Sequence, residues 1–226
     1  MEIKSKNLHD RKRHLIAKLR KEFGSNSVID AMERVPREAF IPPSLIQDSY
    51  EDSPIPIEAG QTTSQPYIIA KMIIELDIHS SDKILEIGTG YGYQSAILSQ
   101  LCDSVTSVER IKSMVQKAKK RLVTLEYSNI EVHEATSELG WVASAPYDAI
   151  IVGAAAPKIP IELFSQLVVG GRLIIPVGSM ATQDLMKITK TADSFTAKTL
   201  IPCKFVPLIG KGAWPLNESL KPGYDS

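Results

Sequence analysis

The stretch KILEIGTGYGYQ, residues 83–94, begins with the apolar Ile84, Leu85 and Ile87, runs through Gly88, Gly90 and Gly92, and leaves on Tyr93 and Gln94. Alternating glycines end an extended segment and allow a tight backbone turn. Helical spacing resumes after Tyr93 as far as Leu101, so the stretch reads as strand, glycine turn and helix, the opening unit of a doubly wound sheet. Working outward, strands are expected at 104–108, 130–133, 147–152 and 172–177, with helices at 111–125 and 160–167, the second stopped by Gly170 and Gly171. The near-continuous apolar runs AIIV (149–152) and LIIPV (173–177) mark strands buried on both faces, as in a parallel sheet covered by helices. Residues 184–190 and 198–206 break the alternation and read as an antiparallel hairpin at one edge. The expected fold is α/β, a doubly wound and mostly parallel seven-stranded sheet with a C-terminal antiparallel hairpin.

Before the sheet, Leu8, Leu15, Ile16 and Leu19 and then Val28, Ile29, Met32 and Val35 carry helical spacing, with Ser25, Asn26 and Ser27 as capping candidates and Pro36 as the stop. Residues 37–65 hold no period, and Pro42, Pro43, Pro54 and Pro56 force extended or turned backbone. A loop of that length in a compact chain reads as functional. Ile68, Ile69, Met72, Ile73 and Leu76 then describe a helix with Pro66 in its first turn and Ser64 as its candidate cap. The expected division is an N-terminal helical and loop extension over 1–66 and a sheet domain over 67–226, together one structural unit.

Composition narrows the function. The chain of 226 residues has 43% hydrophobic and 23% charged residues, ordinary values for a chain with a substantial core. Twenty-six basic residues balance twenty-six acidic ones, so no overall field recruits nucleic acid or a membrane, and neither is expected as a partner. Cys102 and Cys203 sit in no Cys-x-x-Cys pair and near no histidine at metal-ligand spacing, so no metal and a reducing compartment are expected. With no long apolar run and a polar, basic start, the expected location is the cytoplasm.

The glycine turn points to a ligand. Free N–H groups at a helix start attract polar groups, and Glu109, at the end of the next strand, is placed to accept both hydroxyls of a ribose. The dinucleotide pattern G-x-G-x-x-G needs a glycine where Tyr93 stands, which argues against an NAD-dependent oxidoreductase. The third glycine, Gly92, instead completes the form E-x-G-x-G-x-G from Glu86 to Gly92, associated with S-adenosylmethionine enzymes. No G-x-S-x-G occurs, so a serine hydrolase is disfavoured.

Several segments resemble the protein-L-isoaspartate (D-aspartate) O-methyltransferases: AMERVPREAFIP (31–42), YEDSPIPI (50–57), GQTTSQP (60–66), LEIGTGYGYQ (85–94), VERI (108–111), APYDAIIVGAAAPKIP (145–160), GGRLIIPVG (170–178) and FVPL (205–208). GQTTSQP is the most discriminating, because other methyltransferases share only the glycine loop. The resemblance implies the S-adenosylmethionine-dependent methyltransferase fold. It also implies methyl transfer to the free α-carboxylate of L-isoaspartyl and D-aspartyl residues in damaged proteins or peptides, giving an ester that collapses to a succinimide. Ser64 is then the active-site hydroxyl, with Thr62 and Thr63 beside it over the donor. Glu86, Gly88, Gly90 and Gly92 belong to the methionine end, Glu109 to the ribose, and Arg110, Ile111 and Thr136 to the adenine.

In one place the chain departs from the family. Where members usually carry Gly-Asp-Gly after the third strand, it has Ala135-Thr136-Ser137. Loss of an acceptor for the adenine amino group costs roughly 1–2 kcal/mol of donor binding unless the Thr136 hydroxyl replaces it. This departure keeps two narrower readings open: a carboxylate methyltransferase for an aspartate in a dedicated partner peptide, and a weakly active or non-catalytic donor-binding relative.

Overall fold

A computed structural model of the chain describes residues 2–215; the end of the expected 67–226 unit, residues 216–226, lies outside the described residues. Helices α1 (Glu2–Phe23) and α2 (Ser27–Arg34) are followed by turns of 3-10 helix and two short strands, β1 (Ile55–Pro56) and β2 (Thr62–Thr63). Then come α3 (Pro66–Leu76), β3 (Lys83–Ile87), α4 (Tyr93–Ser99), β4 (Ser104–Glu109), α5 (Lys112–Thr124) and β5 (Ile130–Glu134). The chain continues through β6 (Tyr147–Val152), α6 (Ile161–Ser165), β7 (Leu167–Gly178), β8 (Gln183–Lys190) and β9 (Phe195–Cys203).

Seven strands form one sheet in the order β5-β4-β3-β6-β7-β8-β9. The pairs from β5 to β7 are parallel and the last two pairs antiparallel, as the apolar runs and the hairpin predicted. From β3 the chain winds outward to β4 and β5, then crosses back to β6 on the other side. That reversal leaves a crevice at the carboxyl ends of β3 and β6, where ligands of open α/β sheets bind.

Alternate residues of the central strands serve two cores. Ile84, Ile151 and Ile174 pack with α1 to α5, whereas Leu85, Ile150 and Leu173 pack on the opposite face with Leu163 of α6 and Leu208. Both faces are therefore dry, which is why these strands read as unbroken apolar runs. Leu15, Leu19, Ile29 and Met32 from the N-terminal helices sit in the first core with α3 and α4. Asn26 is the cap of α2, its side-chain oxygen accepting from the backbone N–H of Val28 (3.0 Å) and Ile29 (3.1 Å).

Two local expectations are corrected. Gly170 and Gly171 lie inside β7, not at a helix stop. The β6–β7 register moves from Tyr147↔Leu167 to Ala149↔Arg172, so the glycines lie in an irregular insertion where Gly170 takes φ +84° and a Cβ at Gly171 would come within 2.8 Å of the Val168 carbonyl oxygen. Nor does Ser64 cap α3: Gln65 occupies the cap position without a side-chain bond, and the free Tyr67 N–H donates instead to Asp52 Oδ1 at 2.9 Å.

Candidate active site

The turn between β3 and α4 is stitched to both neighbouring strands. Gly88 N donates to Val108 O and Gly153 N to Ile87 O, each at 2.8 Å. Gly88 and Gly90 adopt φ +95° and +56°, a region that side chains resist, and a Cβ at Gly88 would lie 3.7 Å from Gly153 Cα. Glu109, buried at the end of β4, accepts from Gly90 N at 3.0 Å through one carboxylate oxygen and from Ile111 N at 2.9 Å through the other.

Three neighbouring spaces with lining residues in common open around this turn. The first is bordered by Gly88, Gly90, Glu109, Arg110 and Thr136 below and by Gln61 and Thr62 above. The second lies between Thr63, Ser64, Gly90, Tyr93 and Gln94. The third is an outer groove between Ser64, Gln65 and Ile68 on one side and residues 202–206 on the other. Thr62 and Gly153 line all three, and Ser64 lines the second and third. The Ser64 hydroxyl has no protein partner among the described residues, so it stands free where the inner space meets the groove.

A strap of residues 55–64 roofs these spaces. Its ends pair as Ile55↔Thr63 and Pro56↔Thr62, and Ile57 N donates to Gln61 O at 2.9 Å. Glu58 at its turn accepts from Ser113 Oγ (3.0 Å) and from Lys117 Nζ, both on α5.

Arg37 fixes the strap from behind. It is fully buried, with Nη1 donating to the carbonyls of Ser49 (2.9 Å) and Glu51 (3.1 Å) and Nη2 to the carbonyl of Ser64 (3.0 Å), and its guanidinium lies over the Tyr93 ring at 5.6 Å. Asp52 adds a second tie, bonding Tyr67 N through one oxygen and Lys18 through the other. Sequence reasoning gave neither residue a role: the loop 37–65 read as functional as a whole and the segments around both residues resembled the family, but no local feature singled out Arg37 or Asp52.

The expected site residues divide. Thr62, Thr63, Ser64, Gly88, Gly90, Glu109, Arg110 and Thr136 border the spaces, whereas Glu86, Gly92 and Ile111 do not. Glu86 points to the α4 face and is fully buried, accepting from Gln94 Nε2 (3.1 Å), Ser107 Oγ (2.6 Å) and Ser95 Oγ. Burial pushes its carboxyl up from 4.5 to about 7; the Glu109 charge adds to the rise and the three hydrogen bonds oppose it. Gly92 opens α4 facing Leu122 of α5. Ile111 contributes its backbone N–H to Glu109. Thr136 lies in the cavity wall, where its hydroxyl accepts from Glu138 N at 3.2 Å and is 3.4 Å from Glu138 O, so it is engaged in a local turn. Among the described residues no group of three or more His, Cys, Asp or Glu is arranged to hold a metal ion.

Known proteins resemble this arrangement over most of the chain. The family model described as protein-L-isoaspartate (D-aspartate) O-methyltransferase matches residues 10–213. A protein-L-isoaspartate O-methyltransferase 2 of Pelobacter propionicus is 48% identical over 190 residues, 83% of this chain and 84% of that protein. A protein-L-isoaspartate O-methyltransferase 1 of Geotalea uraniireducens is 44% identical over 216 residues, 92% of this chain and 97% of that protein. The crystal structure of a Plasmodium falciparum protein assigned to the same family, in complex with S-adenosyl-L-homocysteine, superposes with a TM-score of 0.72 at 25% identity, covering 85% of this chain and 95% of that one.

Two measurements test the supports of the site. Arg37→Ala leaves three carbonyls without their donor; at the lower end of roughly 1–3 kcal/mol for each acceptor, because two of the three bonds are only partly buried, the loss is at least about 3 kcal/mol and the Tm falls by at least roughly 6–12 °C. Arg37→Lys should lose less, and a change under about 2 °C in the alanine variant would deny Arg37 its structural weight. For Glu86 the folded pKa is raised, so its stabilising contribution is complete below 4.5 and is lost as pH rises through about 7. Against Glu86→Gln, the wild type should therefore lose ground in thermal scans over that window and hold level above it; parallel curves would show that Glu86 titrates normally.

Proposed function

The chain belongs to the protein-L-isoaspartate (D-aspartate) O-methyltransferase family, and we propose that it repairs damaged proteins by methylating the free α-carboxylate of their L-isoaspartyl and D-aspartyl residues. The observation that carries this reading is the meeting of a roofed cavity, a glycine turn and an outer groove at Thr62 and Gly153, with the free Ser64 hydroxyl at the junction.

The roofed cavity fits S-adenosylmethionine in its chemistry. Each Glu109 oxygen accepts one backbone N–H and keeps lone pairs for a ribose hydroxyl. The turn at Gly88 and Gly90 offers backbone without side chains. Bound there, S-adenosylmethionine supplies a methyl group on a positively charged sulfur, open to displacement by an oxygen in line with the carbon–sulfur bond. Gly88 and Gly90 would border the methionine end with Thr62 and Thr63 above, Gly92 and Glu86 would shape the turn from behind, Glu109 would hold the ribose, and Arg110, Ile111 and Thr136 would flank the adenine.

The acceptor needs little activation. An α-carboxyl group has a pKa of about 3.5, so it is already an anion at neutral pH and needs no general base. The outer groove matches that requirement: its lining holds no histidine, aspartate or glutamate. Ser64 would donate a hydrogen bond to one carboxylate oxygen and leave the other free to react. Arg37 holds the main chain of Ser64, and the strap limits water in the inner space, so the work left to the protein is alignment.

The proposed partners are proteins and peptides containing isoaspartate, with no nucleic acid or membrane, and the proposed compartment is the cytoplasm. Free Cys102 and Cys203 suit it, and no helix among the described residues is long and apolar enough to cross a membrane.

The test pairs an isoaspartyl peptide with its normal aspartyl twin and methyl-labelled S-adenosylmethionine. Label should enter only the isoaspartyl peptide and leave in mild base, as an ester does; transfer to the aspartyl twin would redirect the reading to a different acceptor. Ser64→Ala should lower kcat at least tenfold with donor affinity within about twofold, because its partner is the acceptor. Glu109→Ala should weaken donor binding in calorimetry by roughly 1–3 kcal/mol, and unchanged affinity would remove the ribose role.

A further inference from the structure

The outer groove carries a single charged side chain. Its walls are Pro54, Ser64 and Gln65 of the strap side, Ile68 of α3 and residues 202–206, and among these only Lys204 bears a charge. Lys204 is exposed and forms no ion pair among the described residues, unlike Lys198, whose Nζ lies 3.7 Å from Glu75, and Lys211, which lies 3.4 Å from Glu138. Asp52, close to Pro54, is committed to Lys18 and Tyr67 N. Asp184 stands on β8 opposite Pro202, outside the groove lining.

The backbone that presents Lys204 is anchored. Phe205 N donates to Oε1 of the buried Gln183 at 2.8 Å, and Ala155 N donates to Val206 O at 2.8 Å. A fixed main chain with an unpaired ammonium holds a positive charge at the rim of the groove whose inner end is Ser64. Such a charge discriminates among partners by sign more than it adds affinity.

We propose that Lys204 is a specificity-determining residue that reads the charge of the residues flanking the acceptor, so that isoaspartyl segments with acidic neighbours are preferred over those with basic ones. This rests on the methyltransferase reading above and deepens it. The charge is solvent-exposed, so the preference is modest, about three- to tenfold, and declines with salt.

The experiment uses the full chain with three isoaspartyl peptides that differ only in the flanking residue, Glu, Gln or Lys. Affinity is read by fluorescence anisotropy in the presence of S-adenosylhomocysteine, and turnover is read separately. Wild type should bind in the order Glu, Gln, Lys, with the spread shrinking in high salt. Lys204→Ala should flatten the order and Lys204→Glu should reverse it, with S-adenosylhomocysteine affinity in calorimetry reporting that each variant is folded. An order unchanged in Lys204→Glu overturns the inference. The readouts separate the two levels: a charge-dependent order without turnover of any peptide supports the Lys204 assignment while sinking the proposed reaction, and turnover with a charge-blind order does the opposite.

Discussion

One carboxylate joins the two turns on which the site is built. Glu109 accepts from Gly90 in the β3–α4 turn and from Ile111 at the start of α5, so both turns are set against each other at the end of the sheet's central strands. A carboxylate buried there without donors would carry a heavy desolvation penalty; two backbone N–H groups offset it and make the local backbone geometry definite. The crevice exists because the strand order reverses beside β3, but its shape comes from this bridge. Glycine suits the Gly90 side because the chain turns there with positive φ to aim its N–H at the carboxylate.

Around that bridge the protein divides its labour. The sheet supplies the floor, and the N-terminal segment supplies the back wall and the roof. Arg37 reaches carbonyls at three separate places in the irregular segment and so turns residues 49–64, with few apolar anchors of their own, into a single defined loop. A guanidinium suits this role because its planar fork offers five donors in fixed directions. The helices α1 and α2, which share a core with the sheet, give that arginine a rigid base.

The sequence was most legible where one local rule sufficed. β3 and β6 occupy the residues expected, because an apolar run bounded by turn residues has few alternatives, and the hairpin of β8 and β9 was marked by its departure from the strand–helix rhythm, although β9 runs over Phe195–Cys203 and not over 198–206. It was least legible where contacts are distant in the chain. Ser64 looked like a cap for α3 because local spacing allowed it, yet Asp52, fifteen residues away, takes the Tyr67 N–H and leaves the serine hydroxyl free. Gly170 and Gly171 were misassigned because glycine marks a helix end and a strand irregularity equally well. Glu86 carried the right motif, but the motif could not say that the side chain turns away from the cavity toward Ser95 and Ser107. For Thr136, a substitute for the missing acid only on condition that its hydroxyl faces the adenine, local spacing could not show that the folded turn brings Glu138 N to that hydroxyl.

The attachment of Glu58 to α5 has a different character from the rest. Arg37 and Glu109 make their bonds in the dry interior, whereas Lys117 and Glu58 meet with side chains 50% and 24% exposed, where water and dissolved ions compete. Of the ties that hold the strap, this ion pair is therefore the one whose strength varies with the ionic composition of the surroundings.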